Sequence, residues 1–410
     1  MNSAMRMFPQ NFLWGAATSS HQAEGGNTNN DWWCWEHEGR AKEPSGEAAR
    51  HFELFDQDFE LAHDLHHNAH RFSIEWSRIE PREGRFDDDA VDHYRQVIRS
   101  LRQKSIEPVV TLHHFTNPKW FADRGGWLNE QASFWFTRYA ARIVDAVGSD
   151  VRYWITINEP MVLVYHSYLT GLWPPGQRSV VLCWKAMHRL IRSHKSAYKM
   201  IHDVYQKNKR PLPQVSIAHS LRPFKACPWT RGVICRLGVF LRHQFFNLYF
   251  LREIKKHLDF IGVNYYEREY VSNDRALPYG FWGGKCNQIH GHVGHVNTLG
   301  WDSCPEGFYE ALCWLREFRK PIFITENGTC EDDDAFRQKF IQQHLQQVQR
   351  ALDQGLPVIG YLYWSLLDNF EWHQGFGHRF GLIDVDYATF KRTIRPSGRY
   401  LAEVIQRGRV

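Results

Sequence analysis

The 410-residue chain lacks any run of 18 or more apolar residues, which excludes a membrane-spanning helix. Met1–Gln10 has no apolar centre of the kind a secretory leader needs, so the cytoplasm is the expected location. The eight cysteines (Cys34, Cys183, Cys227, Cys235, Cys286, Cys304, Cys313 and Cys330) form no C-x-x-C pair and follow no regular spacing. Free thiols in a reducing cytoplasm are expected, and a secreted form with one or two disulfides is the alternative. A one-signed charge is also missing. The net charge is +5 from 50 basic and 45 acidic residues, too small and too dispersed for a nucleic-acid partner. Local charge runs are read as surface features: Glu331–Asp334 as a solvated loop, and Lys207–Arg210 before Pro211 as a turn. No low-complexity linker and no short repeat occurs, which excludes a solenoid.

What the chain has in excess is aromatic residues, 15% of the total with 17 tryptophans. Each buried indole needs a partner for its N–H. A sugar presents apolar C–H faces to such rings, but an aromatic-rich core accounts for the composition equally well. The remaining composition, 43% hydrophobic and 23% charged, is that of a globular protein.

Strand-like apolar segments recur with helical stretches between them. The expected strands are 12–16, 69–74, 107–112, 151–157, 214–218, 260–264, 321–325 and 359–364. Several are continuously apolar, as in Ile322-Phe323-Ile324, the pattern of a parallel strand buried on both faces. Stretches 89–103 and 332–354 carry apolar residues at spacings of three and four, which predicts helices. Eight such units predict a single α/β domain over 1–410, a closed (β/α)8 TIM barrel. The alternative, a doubly wound open sheet, is disfavoured because no Gly-x-Gly-x-x-Gly turn follows the first strand.

Polar residues gather where these strands end: Gln22 and Glu24, Glu75, His113 and His114, Asn158 and Glu159, Asn264, Tyr265 and Tyr266, then Glu326 and Asn327. Barrel enzymes carry their chemistry at this face. In Thr156-Ile157-Asn158-Glu159-Pro160, the proline biases Glu159 away from helix. In Ile324-Thr325-Glu326-Asn327-Gly328, the glycine offers a positive φ for the turn. Strands four and seven lie across an eight-stranded barrel from each other, so Glu159 and Glu326 are placed to face one another. Two carboxyls suit glycoside cleavage, one protonated and one ionised. A separation of roughly 5–5.5 Å gives retention and roughly 6.5–9.5 Å gives inversion. Either glutamate taken alone reads equally as a salt-bridged rim residue.

Ordered blocks now make a resemblance specific. They are Phe12–Gly25 (FLWGAATSSHQAEG), Arg71–Ile79 (RFSIEWSRI), Thr156–Pro160, Gly262–Tyr266 (GVNYY), Ile324–Gly328 and Tyr363–Trp372 (YWSLLDNFEW). From Phe12 to about Arg395 the chain resembles glycoside hydrolase family 1, the β-glucosidase and β-galactosidase family. The resemblance implies retaining, exo-acting cleavage of a terminal β-linked sugar by double displacement, with Glu326 as nucleophile and Glu159 as acid/base. It places Arg71 and Tyr266 beside the nucleophile and Asn158 at the sugar 2-hydroxyl. Gln22, His114, Glu371 and Trp372 match sugar-binding positions, and Trp364 matches the platform under the ring. Asn264 and Phe380 are implied behind them. A β-glycoside or oligosaccharide is the implied partner, and no metal or organic cofactor is implied. Phosphorylated sugars are disfavoured, because acidic Glu371 stands where relatives that bind 6-phosphates typically carry serine, and Phe380 replaces a tyrosine.

The chain departs from the family at His114-Phe115-Thr116-Asn117-Pro118, where a tryptophan usually follows the histidine, and it is short around 227–257. Phe115 keeps the ring but loses the indole donor, and the shorter segment, which shapes the cleft entrance, bears on the leaving group. His63, His66, His67 and His70 have helical spacing but no completed ligand set, and a partly exposed helix is expected there. His290, His292 and His295 are read as a loop over the cleft. Transglycosylation with the same glutamate pair, and a catalytically silent sugar-binding barrel, stay open alongside hydrolysis.

Overall fold

In the computed structural model, residues 7–229, 232–271 and 295–410 are described. His290 and His292 lie outside them. Eight parallel strands close a barrel: β1 (Leu13–Ala17), β2 (Ala69–Ser73), β3 (Glu107–Thr111), β4 (Tyr153–Asn158), β5 (Gln214–Ser220), β6 (Ile261–Tyr265), β7 (Ile322–Asn327) and β8 (Val358–Trp364). Each pairs with its neighbours in chain order, and β8 pairs with β1. The expected strands are all present, with ends displaced by one or two residues. The predicted helices are Asp88–Gln103 and Asp334–Asp353, capped by the side chains of Asp87 and Asp333.

The continuous apolar runs have the expected cause. On β7, Ile322 and Ile324 face the helical layer, while Phe323 joins Val109, Ile155, Phe260 and Leu362 inside the barrel. Both faces are buried, so both periods of the strand are apolar.

Three ladders carry a register irregularity near the polar end of the barrel. They lie between Ile155 and Asn158 on β4, beside Asn264 and Glu326 on β6 and β7, and between Tyr361 and Tyr363 on β8. With strict alternation from inward Phe323, Thr325 would point inward and Glu326 outward. Instead Val263 aligns with Ile324 and Asn264 with Glu326, so Thr325 is the extra residue. Such a bulge re-aims the side chain that follows it.

Several local expectations are corrected. Gly328 is needed for proximity rather than for a positive φ: a Cβ there would lie 1.9 Å from the Trp364 carbonyl oxygen. Glu331 is buried and ion-paired to His295 at 2.9 Å, not part of a solvated loop. The four histidines share no helix face, because the helix ends at Asp64, His67 is buried beyond it, and His70 lies on β2. His63 does gather Glu60 and Asp64, all three exposed. Cys227 is disulfide-bonded, against the expectation of free thiols, whereas Cys34, Cys183, Cys235, Cys304, Cys313 and Cys330 are free. Among the described residues, no helix is long and apolar enough to cross a membrane.

Candidate active site

The strand ends open into a cleft of about 410 Å³. Its wall includes Gln22, His114, Asn158, Glu159, Tyr266, Glu326, Trp364, Glu371, Trp372 and Phe380. Arg71 and Asn264 stand behind the wall and reach it through hydrogen bonds. All twelve sequence-derived site residues therefore converge.

Glu326, at the end of β7, is held from both sides. Arg71 Nη1 donates to Oε1 at 2.5 Å, and the Tyr266 hydroxyl donates to Oε2 at 2.5 Å. Arg71 is itself fixed, with Nη2 donating to Asn158 Oδ1 at 2.7 Å and Nε donating to Thr111 Oγ1 at 2.9 Å. It pairs across the barrel with Glu326 and not with Glu75, whose carboxylate instead accepts from Ser20, Ser77 and Thr116. Burial raises the Glu326 carboxyl above its usual range, and the guanidinium and the phenol oppose that rise only in part. Burial and the charge of Glu326 raise the Tyr266 phenol well above its ordinary value, so it remains a donor.

Glu159 is in the opposite situation. Burial and the neighbouring charge of Glu326 raise its carboxyl to about 8, against a partial counter-effect from Asn264, whose Nδ2 donates to Oε1 at 3.0 Å. Of the two acids, Glu326 has the cation and Glu159 keeps the proton. The backbone of Glu159 is left-handed at φ 41°, ψ 58°, not the extended conformation expected before proline. Its N–H donates to the Ala218 carbonyl at 2.7 Å, and its carbonyl accepts from Leu163 at 3.0 Å. These bonds hold a costly conformation at the residue that must face the cleft.

Hydrogen bonds join the glutamates into one network. Asn264 Nδ2 also reaches Asn158 Oδ1 at 3.2 Å, and the Thr325 hydroxyl donates to Asn264 Oδ1 at 2.7 Å, which sets the orientation of that amide. Asn158 Nδ2 lies 3.2 Å from His114 Nε2. Burial, helped by Arg71, pulls His114 well below its usual range, so the ring is neutral.

The other end of the cleft is built around Gln22 and Glu371. Gln22 Nε2 donates to the Phe370 carbonyl at 2.9 Å, to Asn369 Oδ1 at 3.2 Å and to Glu371 Oε2 at 3.4 Å, and Ser19 donates to its Oε1 at 2.7 Å. Burial, then the charges of Glu326 and Glu159, raise Glu371 to about 8. This revises the argument against phosphate, because a largely neutral carboxyl repels little at neutral pH. The lining makes the case better. Among the described residues, Arg222 is the one Lys or Arg on the wall, and Glu267 and Glu269 already engage it at 3.5 and 3.1 Å.

Some strand-end residues support the cleft without lining it. Glu24 binds Arg78 at 3.0 Å, His113 binds Asn117 at 3.0 Å, and Tyr265 donates to the Cys304 carbonyl at 2.6 Å. Sequence reasoning missed Trp173, Trp301 and Arg222 on the wall. Trp173, set between Gly171 and Pro174, packs on Phe115 and Trp372 with centroids 4.8 and 5.7 Å away. Trp301 packs on Tyr266 at 5.4 Å. The high tryptophan count was the available signal, but it carried no address.

Comparison with known proteins places this geometry. The family model for glycosyl hydrolase family 1 matches residues 4–232 and 242–409. The 1,4-β-D-glucan glucohydrolase of Thermotoga neapolitana is 32% identical, over 98% of this chain and 99% of that protein. Among solved structures, a β-glycosidase from Pyrococcus horikoshii superposes with TM-score 0.88 at 37% identity, covering 98% of this chain and 96% of that one. The family 1 β-glucosidase of Thermotoga maritima gives 0.90 at 29% identity over 100% of both chains. The same enzyme has been solved in complex with cyclophellitol.

Proposed function

The chain belongs to glycosyl hydrolase family 1 and is a glycoside hydrolase, and on that premise we propose an exo-acting, retaining β-glucosidase that also accepts β-galactosides and β-fucosides. One observation carries the reading: a buried carboxylate gripped by Arg71 and Tyr266 shares a cleft with a second carboxyl raised to about 8. Glu326 attacks the anomeric carbon, and Glu159 gives its proton to the departing glycosidic oxygen. Ester formation removes the charge of Glu326. The carboxyl of Glu159 then becomes more acidic, which suits it to deprotonate the incoming water. Asn158 is placed for the 2-hydroxyl, Gln22 and Glu371 for hydroxyls at the far end of the ring, and Trp364 for its apolar face. Hydrolysis is favoured over transfer to an alcohol only by the abundance of water, so the acceptor decides between them.

The test is direct. A 2-deoxy-2-fluoro aryl β-glucoside should leave one glycosyl group on Glu326, seen by peptide mass spectrometry, and NMR should show the β-anomer released first. A first-formed α-anomer, or label on another residue, rejects the assignment. The barrel and its loops are proposed as one domain. The free thiols at six cysteines support a cytoplasmic location while the bonded Cys227 opposes it, so thiol titration of protein taken from cells under alkylation is the deciding measurement.

A further inference from the structure

Charge is nearly balanced over the whole chain, 50 basic residues to 45 acidic, but not along it. Between Glu159 and Glu253 there are fifteen Lys and Arg and a single acid, Asp203. This basic stretch contains a helix with its apolar face turned outward. In Val233–Arg242 the buried residues are Cys235, Gly238 and Arg242. Arg242 donates to Glu269, and its guanidinium lies over Phe224, 5.3 Å from the ring. Val233, Ile234, Leu237, Phe240 and Leu241 are instead 38% to 79% exposed. Their spacing (i, i+1, i+4, i+7 and i+8) puts all five on one face. A surface helix ordinarily turns such a stripe toward the core.

The exposed apolar surface continues onto a second helix. Phe245, four residues beyond Leu241, stacks on Trp184 with centroids 6.3 Å apart. Val180, Val181 and Trp184 are exposed at the start of the helix Val180–Lys207. Arg178, Lys185 and Arg236 are exposed among these residues. An apolar face flanked by cations selects its partner. Nucleic acid would meet five hydrocarbon side chains where its phosphates need donors. A second copy of this chain, paired about a twofold axis, would set the basic surface against itself. An anionic lipid surface accepts both parts, with the apolar side chains among the acyl chains and the cations at the headgroups. At ten residues the helix is too short to cross a bilayer, and it would lie flat in the interface. Arg242 ties it to Glu269 on the cleft wall, so docking here holds the rim that carries the cleft at the lipid.

We propose that the face formed by Val233–Arg242 and the start of Val180–Lys207 docks this enzyme peripherally on anionic membranes. The proposal goes beyond the sugar specificity and does not depend on it. The experiment is co-sedimentation of the full chain with phosphatidylcholine vesicles, with and without about 30% phosphatidylserine. The wild type should partition onto the anionic vesicles about tenfold more strongly than onto the neutral ones, and should lose most of that gain at about 1 M salt. Leu237→Asp and Phe240→Asp should each weaken partition about tenfold. Arg236→Glu should weaken it about fivefold, on anionic vesicles only. All three positions are exposed, so circular dichroism should stay native and turnover of p-nitrophenyl β-glucoside without lipid should stay within about twofold. No partition onto either vesicle overturns the proposal, including the case in which Leu237→Asp converts a dimer to a monomer and the face pairs two copies. Equal partition onto both vesicles, or partition that none of the variants weakens, also overturns it.

Discussion

The two ends of the barrel strands do opposite things with the same backbone. At the lower end, Val109, Ile155, Phe260, Phe323 and Leu362 fill the interior with apolar volume, and Phe260 and Phe323 meet with centroids 6.0 Å apart. At the upper end, two to four residues further along, Arg71, Asn158, Asn264 and Glu326 fill it with a hydrogen-bonded polar network. The lower layer stabilises the fold by removing apolar surface from water. The upper layer includes Glu159 and Glu371, each buried where ionisation is unfavourable and each raised to about 8. Activity and stability should therefore separate along the axis of a single strand.

The largest break in this comparison is Glu326→Gln. It should lower kcat on p-nitrophenyl β-glucoside on the order of 10⁵-fold while the circular dichroism spectrum stays native. Glu159→Gln should cost about 10²–10⁴-fold on poor leaving groups and much less on dinitrophenyl glucosides, whose departure needs no proton. A uniform loss across leaving groups would count against its role as the acid. At the lower end, Phe323→Ala should destabilise by about 3–5 kcal/mol in urea titration, with kcat per folded molecule almost unchanged.

Glu371→Gln should raise stability, because this carboxyl is easier to ionise in the unfolded chain. A raised native pKa means that the acid's contribution to stability is complete below about 4.5 and is lost as pH rises toward about 8. The gain from the amide should grow over that window to about 1–3 kcal/mol, discounted for coupling among the three acids, and vanish at pH 4. Sugar binding should weaken in the same variant. The smallest effect sharpens the comparison without a mutation. In kcat/KM against pH, the alkaline limb should fall at about 8, where Glu159 loses its proton. In Glu326→Gln, carboxyl titration followed by infrared spectroscopy should place Glu159 lower, because the negative neighbour is gone.

Much of this was legible in the sequence. Doubly buried strands with polar ends identify a barrel and the face that carries its chemistry. The ordered blocks around Glu159 and Glu326 point to residues that the structure brings together at one cleft. Residues whose role depends on folding were harder to read. Trp301 and Trp173 resemble any other tryptophan until the loops bring them beside Tyr266 and Trp372. Gly328 looked like a turn residue because its neighbour in space, the Trp364 carbonyl, is distant in sequence. Glu331 looked solvated because nothing local announces His295. A second, apolar cavity of about 260 Å³ beside the cleft has no motif, since its lining residues Val162, Trp184 and Phe246 come from three separate segments.

The sequence by itself determined which side chains exist at the strand ends and the repeating order that closes eight strands into a barrel. Tertiary structure decided which way those side chains point. A period of two would turn Glu326 away from the interior, and the extra residue Thr325 between β6 and β7 turns it back toward Arg71 and Tyr266. The electrostatics were decided the same way. Burial raises both glutamates, but a guanidinium at 2.5 Å opposes the rise at Glu326, while the charge of Glu326 adds to it at Glu159.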